Sequence, residues 1–421
     1  MSATTTVRLA TRGSELARRQ ATTVKSTLDS RRREVTLTEV DTRGDQIRDE
    51  LIHRLGKTGA FVRALDEKVL DGDLDAAVHS LKDMPTEMPD ELVVAAVPER
   101  APSGDVLVTP DGRDLDDLPE GAVVGTSSLR RKAQLLAARP DLEIVALRGN
   151  VDTRLEKLLA PSLQREHQAR LEAVGKLDEI VGDAAAVDDS GDNTAAADDD
   201  DNANDADNDA DYDRSPEEWF NDRSELERDA MGRPVDTEMD AIVLAEAGLQ
   251  RSDLLATVPT HRLPRERFVP APGQGAIAVT AVDDDVIDQL REAVDHPRSR
   301  IETTVERTVL AELGGGCIAP IGVSAILQGE YVQTRAQVLG PDGAETVAET
   351  RDLPVADHAT AAAGFAADLR ERGAAEVDGV PDERVGRRSR GDGCRRHSGG
   401  QWLTTPQRSI SSAVARVIRS C

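Results

Sequence analysis

The chain is poor in three features that mark particular classes of protein: cysteine, long apolar runs and lysine. Its 421 residues include three cysteines, Cys317, Cys394 and Cys421, which form no disulfide framework and lack metal-ligand spacing. No apolar run reaches the roughly 18 residues that a membrane span requires, and the N-terminal residues lack the charged-then-apolar pattern of a secretory signal. We therefore expect a cytoplasmic protein of two or three domains without a metal.

Acidic residues dominate the charge of the chain. There are 79 Asp and Glu against 52 Lys and Arg, a net charge of −27, and only 7 of the basic residues are lysine. An acid excess with few lysines is typical of a protein that works in concentrated salt, which indicates a halophilic source. Nucleic acids and anionic membranes bind basic surfaces, so we expect neither as a partner. A small anionic ligand in a local basic cleft is compatible with this charge.

The first part of the chain alternates between strand-like and helix-like segments. Apolar spacing predicts helices at residues 14–28, with Ser14 as N-cap, and at 60–70. Strands are predicted at residues 7–11, 35–40, 75–80, 92–97, 122–127, 142–147 and 240–245. Most of these are continuous apolar runs, which suit strands buried on both faces. The pattern predicts an α/β protein with mostly parallel sheets.

Three later segments differ from this alternation. Residues 183–213 contain 13 Asp and no Lys or Arg, so we expect a solvated, disordered acidic insert over about residues 161–236. A helix at 301–313, three hairpin-linked strands between 322 and 353, and a helix at 358–374 predict a small α+β domain. Residues 384–421 hold nine Arg and one Asp, a reversal of charge that we interpret as a shifted reading frame or an unrelated tail.

Arginine recurs in the segments that directly follow the predicted strands. In open α/β sheets ligands bind at these ends, where helix N-termini also favour anions. Guanidinium groups bind carboxylates through two parallel hydrogen bonds, so the ligand should be a small molecule with several carboxylates. The alternative is that each arginine pairs with a surface Asp or Glu. The arginines concerned are Arg12, Arg130, Arg131, Arg148, Arg154 and Arg251.

Two further positions are candidates for chemistry. Asp83 beside Lys82 follows a buried strand and is a candidate acid/base or cation-stabilising carboxylate, although Asp after a strand is more often a cap or turn former. His79 suits a structural hydrogen bond better than catalysis. Cys317 follows three glycines, and this loop suits a thiolate nucleophile or an attachment point. Alone, an isolated cysteine is more often a small buried side chain.

Seven motifs occur together in an order that resembles the hydroxymethylbilane synthase (porphobilinogen deaminase) family. The resemblance covers about residues 7–160 and 240–375. The motifs are LATRGSELARRQ (9–20), VDTRGD (40–45), AVHSLKDMP (77–85), GTSSLRR (125–131), LRGNVDTRL (147–155), APGQGA (271–276) and LGGGCIAPIG (313–322).

The resemblance implies two domains similar to those of periplasmic binding proteins, with mostly parallel sheets, and a small C-terminal α+β domain that carries the cofactor. The expected boundaries are residues 1–103 with 274–293, residues 106–269, and residues 298–380. The family joins four porphobilinogen molecules head to tail, releasing ammonia each time, and hydrolyses the chain to hydroxymethylbilane for porphyrin, haem and cobalamin biosynthesis. We expect a monomer.

The resemblance also assigns roles to residues of this sequence. A dipyrromethane cofactor, one per chain, is expected in thioether linkage to Cys317. Asp83 would be the catalytic carboxylate, assisted by Lys82. The acetate and propionate groups of cofactor and substrate would be bound by Arg12, Ser14, Ser80, Lys82, Thr126, Ser127, Ser128, Arg130, Arg131, Arg148, Gly149, Arg154, Arg251 and Gln274. The competing class is a non-catalytic binding protein of the same architecture, which would explain the arginines but not Asp83 or the glycine-flanked cysteine.

Overall fold

The computed structural model describes residues 5–30, 33–40, 60–174, 213–315 and 319–377. Within these ranges the strands are β1 (Thr5–Thr11), β2 (Arg33–Glu39), β3 (Ala76–Ser80), β4 (Val93–Ala96), β5 (Asp105–Val108), β6 (Val123–Gly125), β7 (Glu143–Val145), β8 (Ala241–Ala245), β9 (Thr260–Arg262), β10 (Ile277–Ala281), β11 (Ile321–Gln328), β12 (Tyr331–Leu339) and β13 (Thr346–Pro354). The helices are α1 (Glu15–Leu28), α2 (Ala60–Leu70), α3 (Leu129–Ala138), α4 (Val151–Ala173), α5 (Pro216–Asn221), α6 (Glu225–Met231), α7 (Glu246–Arg251), α8 (Asp284–Val294), α9 (Pro297–Glu312) and α10 (His358–Leu369).

The first sheet has the strand order β2-β1-β3-β10-β4. Strands β1, β2 and β3 pair in parallel, whereas β10 is antiparallel to both of its neighbours. Apolar side chains cover both faces of this sheet. Val24 of α1 and Leu290 of α8 belong to one core cluster, and Leu65 and Val69 of α2 belong to another. Burial on both faces explains why the strands are apolar runs.

The second sheet repeats this arrangement with the order β7-β6-β8-β5-β9. Here β6, β7 and β8 are parallel and β5 is the antiparallel strand. Leu155 and Leu158 of α4 pack on one side, and Leu135 of α3 packs on the other. In each of the two sheets four of the five strands therefore point the same way, which confirms the predicted α/β class.

The third sheet is a three-stranded antiparallel meander, β11-β12-β13. Val305 and Val309 of α9 and Phe365 of α10 pack against it in a single core cluster, so the predicted α+β unit is confirmed. Helix α9 begins four residues before the predicted 301, because His296 caps it and Pro297 occupies its first turn. The domain boundaries stay a prediction. Each sheet draws its strands from one of the three predicted segments.

The prediction of a disordered insert over about residues 161–236 is wrong at both ends. Helix α4 continues to Ala173, and the short helices α5 and α6 pack on it. Trp219 explains this order, since its ring is buried, stacks on His167 at 5.9 Å and lies 4.9 Å from the Arg223 guanidinium. Residues 175–212, which include most of the acidic run, lie outside the described residues. The basic tail at 384–421 lies outside them too.

Two segments, residues 97–104 and 263–276, cross between the first two sheets. A buried ion pair links these crossing segments to the third unit. Glu306 of α9 is fully buried and binds both guanidinium nitrogens of Arg100, at 2.9 and 2.8 Å. It also accepts hydrogen bonds from the backbone N–H groups of Gly273 and Ala325. One carboxylate therefore contacts both crossing segments and the third sheet.

Candidate active site

Most of the predicted site residues lie in the loops and helices that follow the carboxyl ends of parallel strands. Strand β1 leads to Arg12 and Ser14, and β3 leads to Lys82 and Asp83. In the second sheet β6 leads to the Thr126–Ser128 loop, β7 is followed by the Arg148–Gly149 loop, and β8 leads through α7 to Arg251. The sequence prediction of their place in the fold is confirmed for these positions.

Helix N-termini lie in three of these loops. Ser14 caps α1 by accepting from the backbone N–H of Ala17, and Ser128 caps α3 by accepting from that of Arg131. Asn150 is the N-cap residue of α4. Gly149 precedes it with a φ of 119°, a conformation that favours glycine. The positive ends of these helices add to the attraction for an anion.

Lys82 and Asp83 lie on a single 3₁₀ turn, Leu81–Asp83, directly after β3. Asp83 is exposed, whereas Lys82 is half-buried. Burial lowers the pKa of Lys82, and Asp83 opposes that shift. Gly273 packs against this turn so closely that a Cβ on it would lie 3.2 Å from the backbone nitrogen of Lys82. The turn therefore places an exposed carboxylate beside a partly desolvated ammonium group.

Arg154 and Arg251 bring positive charge from the second sheet. The pKa of Arg154 is lowered to about 10, mainly by burial and also by the nearby Arg131, whereas Asp83 opposes the shift. Its Nε donates to the Gly149 carbonyl at 2.8 Å. Burial also lowers the pKa of Arg251, which donates to the Gly275 carbonyl at 2.7 Å. Neither guanidinium forms an ion pair with a carboxylate of the described residues.

Arg130 and Arg131 are bound differently, because both are buried against Asp105. Each guanidinium lies 2.8 Å from a carboxylate oxygen of Asp105. Burial would raise the pKa of Asp105, but the two arginines outweigh it and hold that pKa well below its usual range. Gln274 donates to the same carboxylate at 2.9 Å and to the Ser103 carbonyl at 2.7 Å. These three predicted ligand-binding residues thus form a buried polar network. The two arginines do pair with a carboxylate, as the alternative proposed, but that carboxylate is buried and not on the surface.

The remaining predicted residues have simpler surroundings. Ser127 is exposed and donates to the Leu147 carbonyl at 2.7 Å, and the buried Thr126 accepts from the Ser128 nitrogen. Arg148, Arg12 and Ser80 are half-buried. Cys317, with Gly316 and Ile318, lies outside the described residues, so its role stays a prediction.

His79 has the structural role that the sequence suggested. Its Nε2 lies 2.8 Å from Asp66, and Thr280 donates to the same carboxylate at 2.9 Å. All three side chains are buried beneath the first sheet. This network supports the strand that ends at Ser80.

Sequence reasoning missed three buried charged residues that organise the site: Arg100, Asp105 and Glu306. Their sequence signal is an acid or base inside a segment otherwise fit for burial, as in Asp105 at the start of the apolar strand β5. A charge in such a position must find a partner. The sequence does not say which partner, because Arg131 is 26 residues away and Arg100 is 206 residues from Glu306.

These features define a class of protein: an α/β fold in which cationic side chains follow the strand ends of two sheets, an arrangement that suits a small molecule with several carboxylates. The family model described as "Porphobilinogen deaminase, dipyromethane cofactor binding domain" matches residues 7–174 and 228–289. The model for the C-terminal domain of porphobilinogen deaminase matches residues 300–364. The chain belongs to the porphobilinogen deaminase family. It is therefore a transferase of tetrapyrrole biosynthesis with a dipyrromethane cofactor, and the non-catalytic alternative is wrong.

Relatives in other organisms agree over most of the chain. A probable porphobilinogen deaminase of Halobacterium salinarum is 53% identical over 396 residues, which cover 88% of this chain and 97% of the relative. Those of Methanococcoides burtonii (also described as probable) and Sulfurimonas denitrificans are each 34% identical and cover 88% of this chain and 95% of the relative. A ligand-binding component of an ABC-type import system from Staphylococcus aureus covers 72% of this chain and 73% of its own, at 8% identity and a TM-score of 0.27, too low to support an argument.

The described side chains fit the cofactor that the family model names. The acetate and propionate groups of a dipyrromethane are carboxylates, and Arg154 and Arg251 are desolvated cations that lack an internal carboxylate partner among the described residues. No described helix is long and apolar enough to cross a membrane. The predicted monomeric state and cytoplasmic location stay predictions.

Proposed function

We propose that this enzyme joins four porphobilinogen molecules head to tail on a dipyrromethane primer and releases one ammonia at each addition. Hydrolysis then frees hydroxymethylbilane and leaves the primer in place. We assign the attachment of the primer, through a thioether, to Cys317. The family model of the cofactor domain and the motif Gly314–Cys317 support this proposal.

One observation carries the proposal: the exposed carboxylate of Asp83 lies close enough to two desolvated cations, Lys82 and Arg154, to change their pKa values. Asp83 raises the pKa of Lys82 and of Arg154, while burial lowers both. A site for carboxylates alone would need only the cations. The added carboxylate suits a reaction in which positive charge develops on the substrate.

The cations and helix N-termini would hold the acidic side chains of primer and substrate. When bound, the dipyrromethane supplies the pyrrole position from which the product chain grows. We assign direct contact with carboxylates to Arg148, Arg154 and Arg251, for which the described part of the chain supplies no carboxylate partner. We also assign it to Lys82, Arg12 and the capping residues Ser14 and Ser128, with Ser80, Ser127 and Gly149 beside them. Arg130, Arg131, Thr126 and Gln274 would shape the cleft through the Asp105 network and the start of α3.

Asp83 would act on the leaving amine of porphobilinogen. It can deliver a proton to that amine and then stabilise the cation left on the substrate carbon when ammonia departs. A guanidinium cannot stabilise a developing positive charge, whereas a fixed carboxylate beside it can. Lys82, beside Asp83 on the same turn, would bind a substrate carboxylate.

Asp83→Asn tests this assignment, because it keeps the size of the side chain but removes its charge and its proton transfer. We expect turnover to fall by a factor on the order of 10² or more, with a smaller change in KM. Asp83→Glu should also be slow, since a displacement of about an ångström is costly. Glu87→Gln, an exposed acid four residues further on, is the matched control. Normal turnover of Asp83→Asn would transfer the role to another residue.

A further inference from the structure

Arg307 reaches from α9, which packs on the third sheet, to the turn that carries Asp83 in the first. Its Nη1 donates to the carbonyls of Leu81, at 3.1 Å, and Met84, at 3.2 Å. Its Nη2 donates to the carbonyl of Pro85. The guanidinium thus binds backbone oxygens on both sides of Lys82 and Asp83.

The turn itself has little internal support. Its closing hydrogen bond, from the Met84 nitrogen to the Leu81 carbonyl, is long at 3.3 Å. The Leu81 nitrogen is tied to the Ala276 carbonyl at 3.0 Å, and Gly273 packs against the same turn. Arg307 adds three donors in the fixed geometry of a planar fork, which restricts where the Asp83 backbone can lie.

Helix α9 is itself held firmly at this point. The preceding residue, Glu306, is fully buried and bound by Arg100 and two backbone N–H groups. Five residues after its end at Glu312 comes Cys317. The same helix therefore precedes the proposed primer cysteine in the chain and, through Arg307, binds the backbone of the proposed catalytic turn.

We propose that Arg307 is a positioning residue for Asp83: by clamping the Leu81–Pro85 backbone to α9, it sets the carboxylate against the reacting amine. This inference rests on the role proposed for Asp83. Precise placement of a catalytic group contributes strongly to rate, so loss of the clamp should slow the chemical step more than it weakens substrate binding.

The test combines Arg307→Gln with Asp83→Asn in a double-mutant cycle, measured on protein that carries dipyrromethane by intact mass. Arg307→Gln alone should lower kcat by about 10- to 100-fold and change KM by less than about threefold. Because Arg307 acts through Asp83, adding Arg307→Gln to Asp83→Asn should cost less than about threefold more. Arg298→Gln, on the exposed face of the same helix, is the matched control and should leave kcat unchanged.

Losses that multiply in the double variant would overturn the proposal, since Arg307 would then act independently of Asp83. A rise in KM with kcat unchanged would overturn it too, by assigning Arg307 to substrate binding. If Arg307→Gln does not fold, Arg307→Lys keeps the charge without the fork and undergoes the same cycle. Normal turnover of Asp83→Asn alone would refute the role of Asp83 instead, so the two failures are distinguishable.

Discussion

Replacing Arg154 with methionine should change the stability of the ligand-free protein and its binding of the cofactor in opposite directions. Burial, with a contribution from Arg131, lowers its pKa to about 10. Since one pKa unit corresponds to about 1.4 kcal/mol, the charge costs the ligand-free fold on the order of 3 kcal/mol. Arg154→Met removes that cost but also loses the hydrogen bond to the Gly149 carbonyl, worth about 1 kcal/mol. We expect the ligand-free variant to be more stable by about 2 kcal/mol, a rise in Tm of about 2 °C for a chain of this length.

Ligand-free protein, verified by intact mass, is the sample for thermal unfolding at one fixed salt concentration. The control is Arg165→Met on the same helix, where an exposed guanidinium pairs with Glu238 and the expected change is within about 0.5 kcal/mol. With dipyrromethane bound, the order should reverse, because Arg154 then binds a carboxylate and the variant has lost that contact. If ligand-free Arg154→Met melted below Arg165→Met, the protein itself would stabilise this cation, and the reasoning would fail.

Two further predictions concern the framework of the site. Gly275→Ala should lower the free energy of unfolding in urea by at least about 2 kcal/mol, because its φ is 82° and a Cβ would lie 2.4 Å from the Ala101 carbonyl oxygen. Gly72→Ala, with a φ of 76° and open space around it, should cost clearly less. Equal losses in the two variants would contradict the close contact. Asp105→Asn leaves two buried arginines without a carboxylate and should cost about 3–5 kcal/mol near neutral pH. Since the arginines lower the pKa of Asp105, its contribution is present above its ordinary pKa of about 4 and is lost as the pH falls further. The stability difference between the wild type and Asp105→Asn should therefore shrink in acid, and a constant difference from pH 5 to pH 2 would argue against this ion pair.

Local signals explain which parts of the fold were predictable. The apolar runs at β3 and β8 mark buried strands, and Ser14 marks the start of α1, because these signals depend on neighbouring residues. The antiparallel strands β5 and β10 were missed. They are no shorter than the predicted strands β4 and β3, but their position is decided by the segments that cross between the sheets. Neighbouring residues do not indicate which distant strand a segment will pair with.

The same distinction holds for the site. Positions at strand ends, such as Lys82 and Arg154, follow from topology and could be predicted. Which arginines are paired with a buried carboxylate could not be predicted, because the pairing depends on Asp105, far from them in sequence. The helices α5 and α6 were missed because their sequence is polar, and Trp219 anchors them.

Intact mass of the purified protein is the most direct test of the central claim, that the product is built on a primer held by Cys317. We expect the native chain to be heavier than its polypeptide by one dipyrromethane, and Cys317→Ser to lack both the added mass and the activity. A native protein that is active at its bare polypeptide mass, or an adduct located on Cys394 or Cys421, would contradict the account.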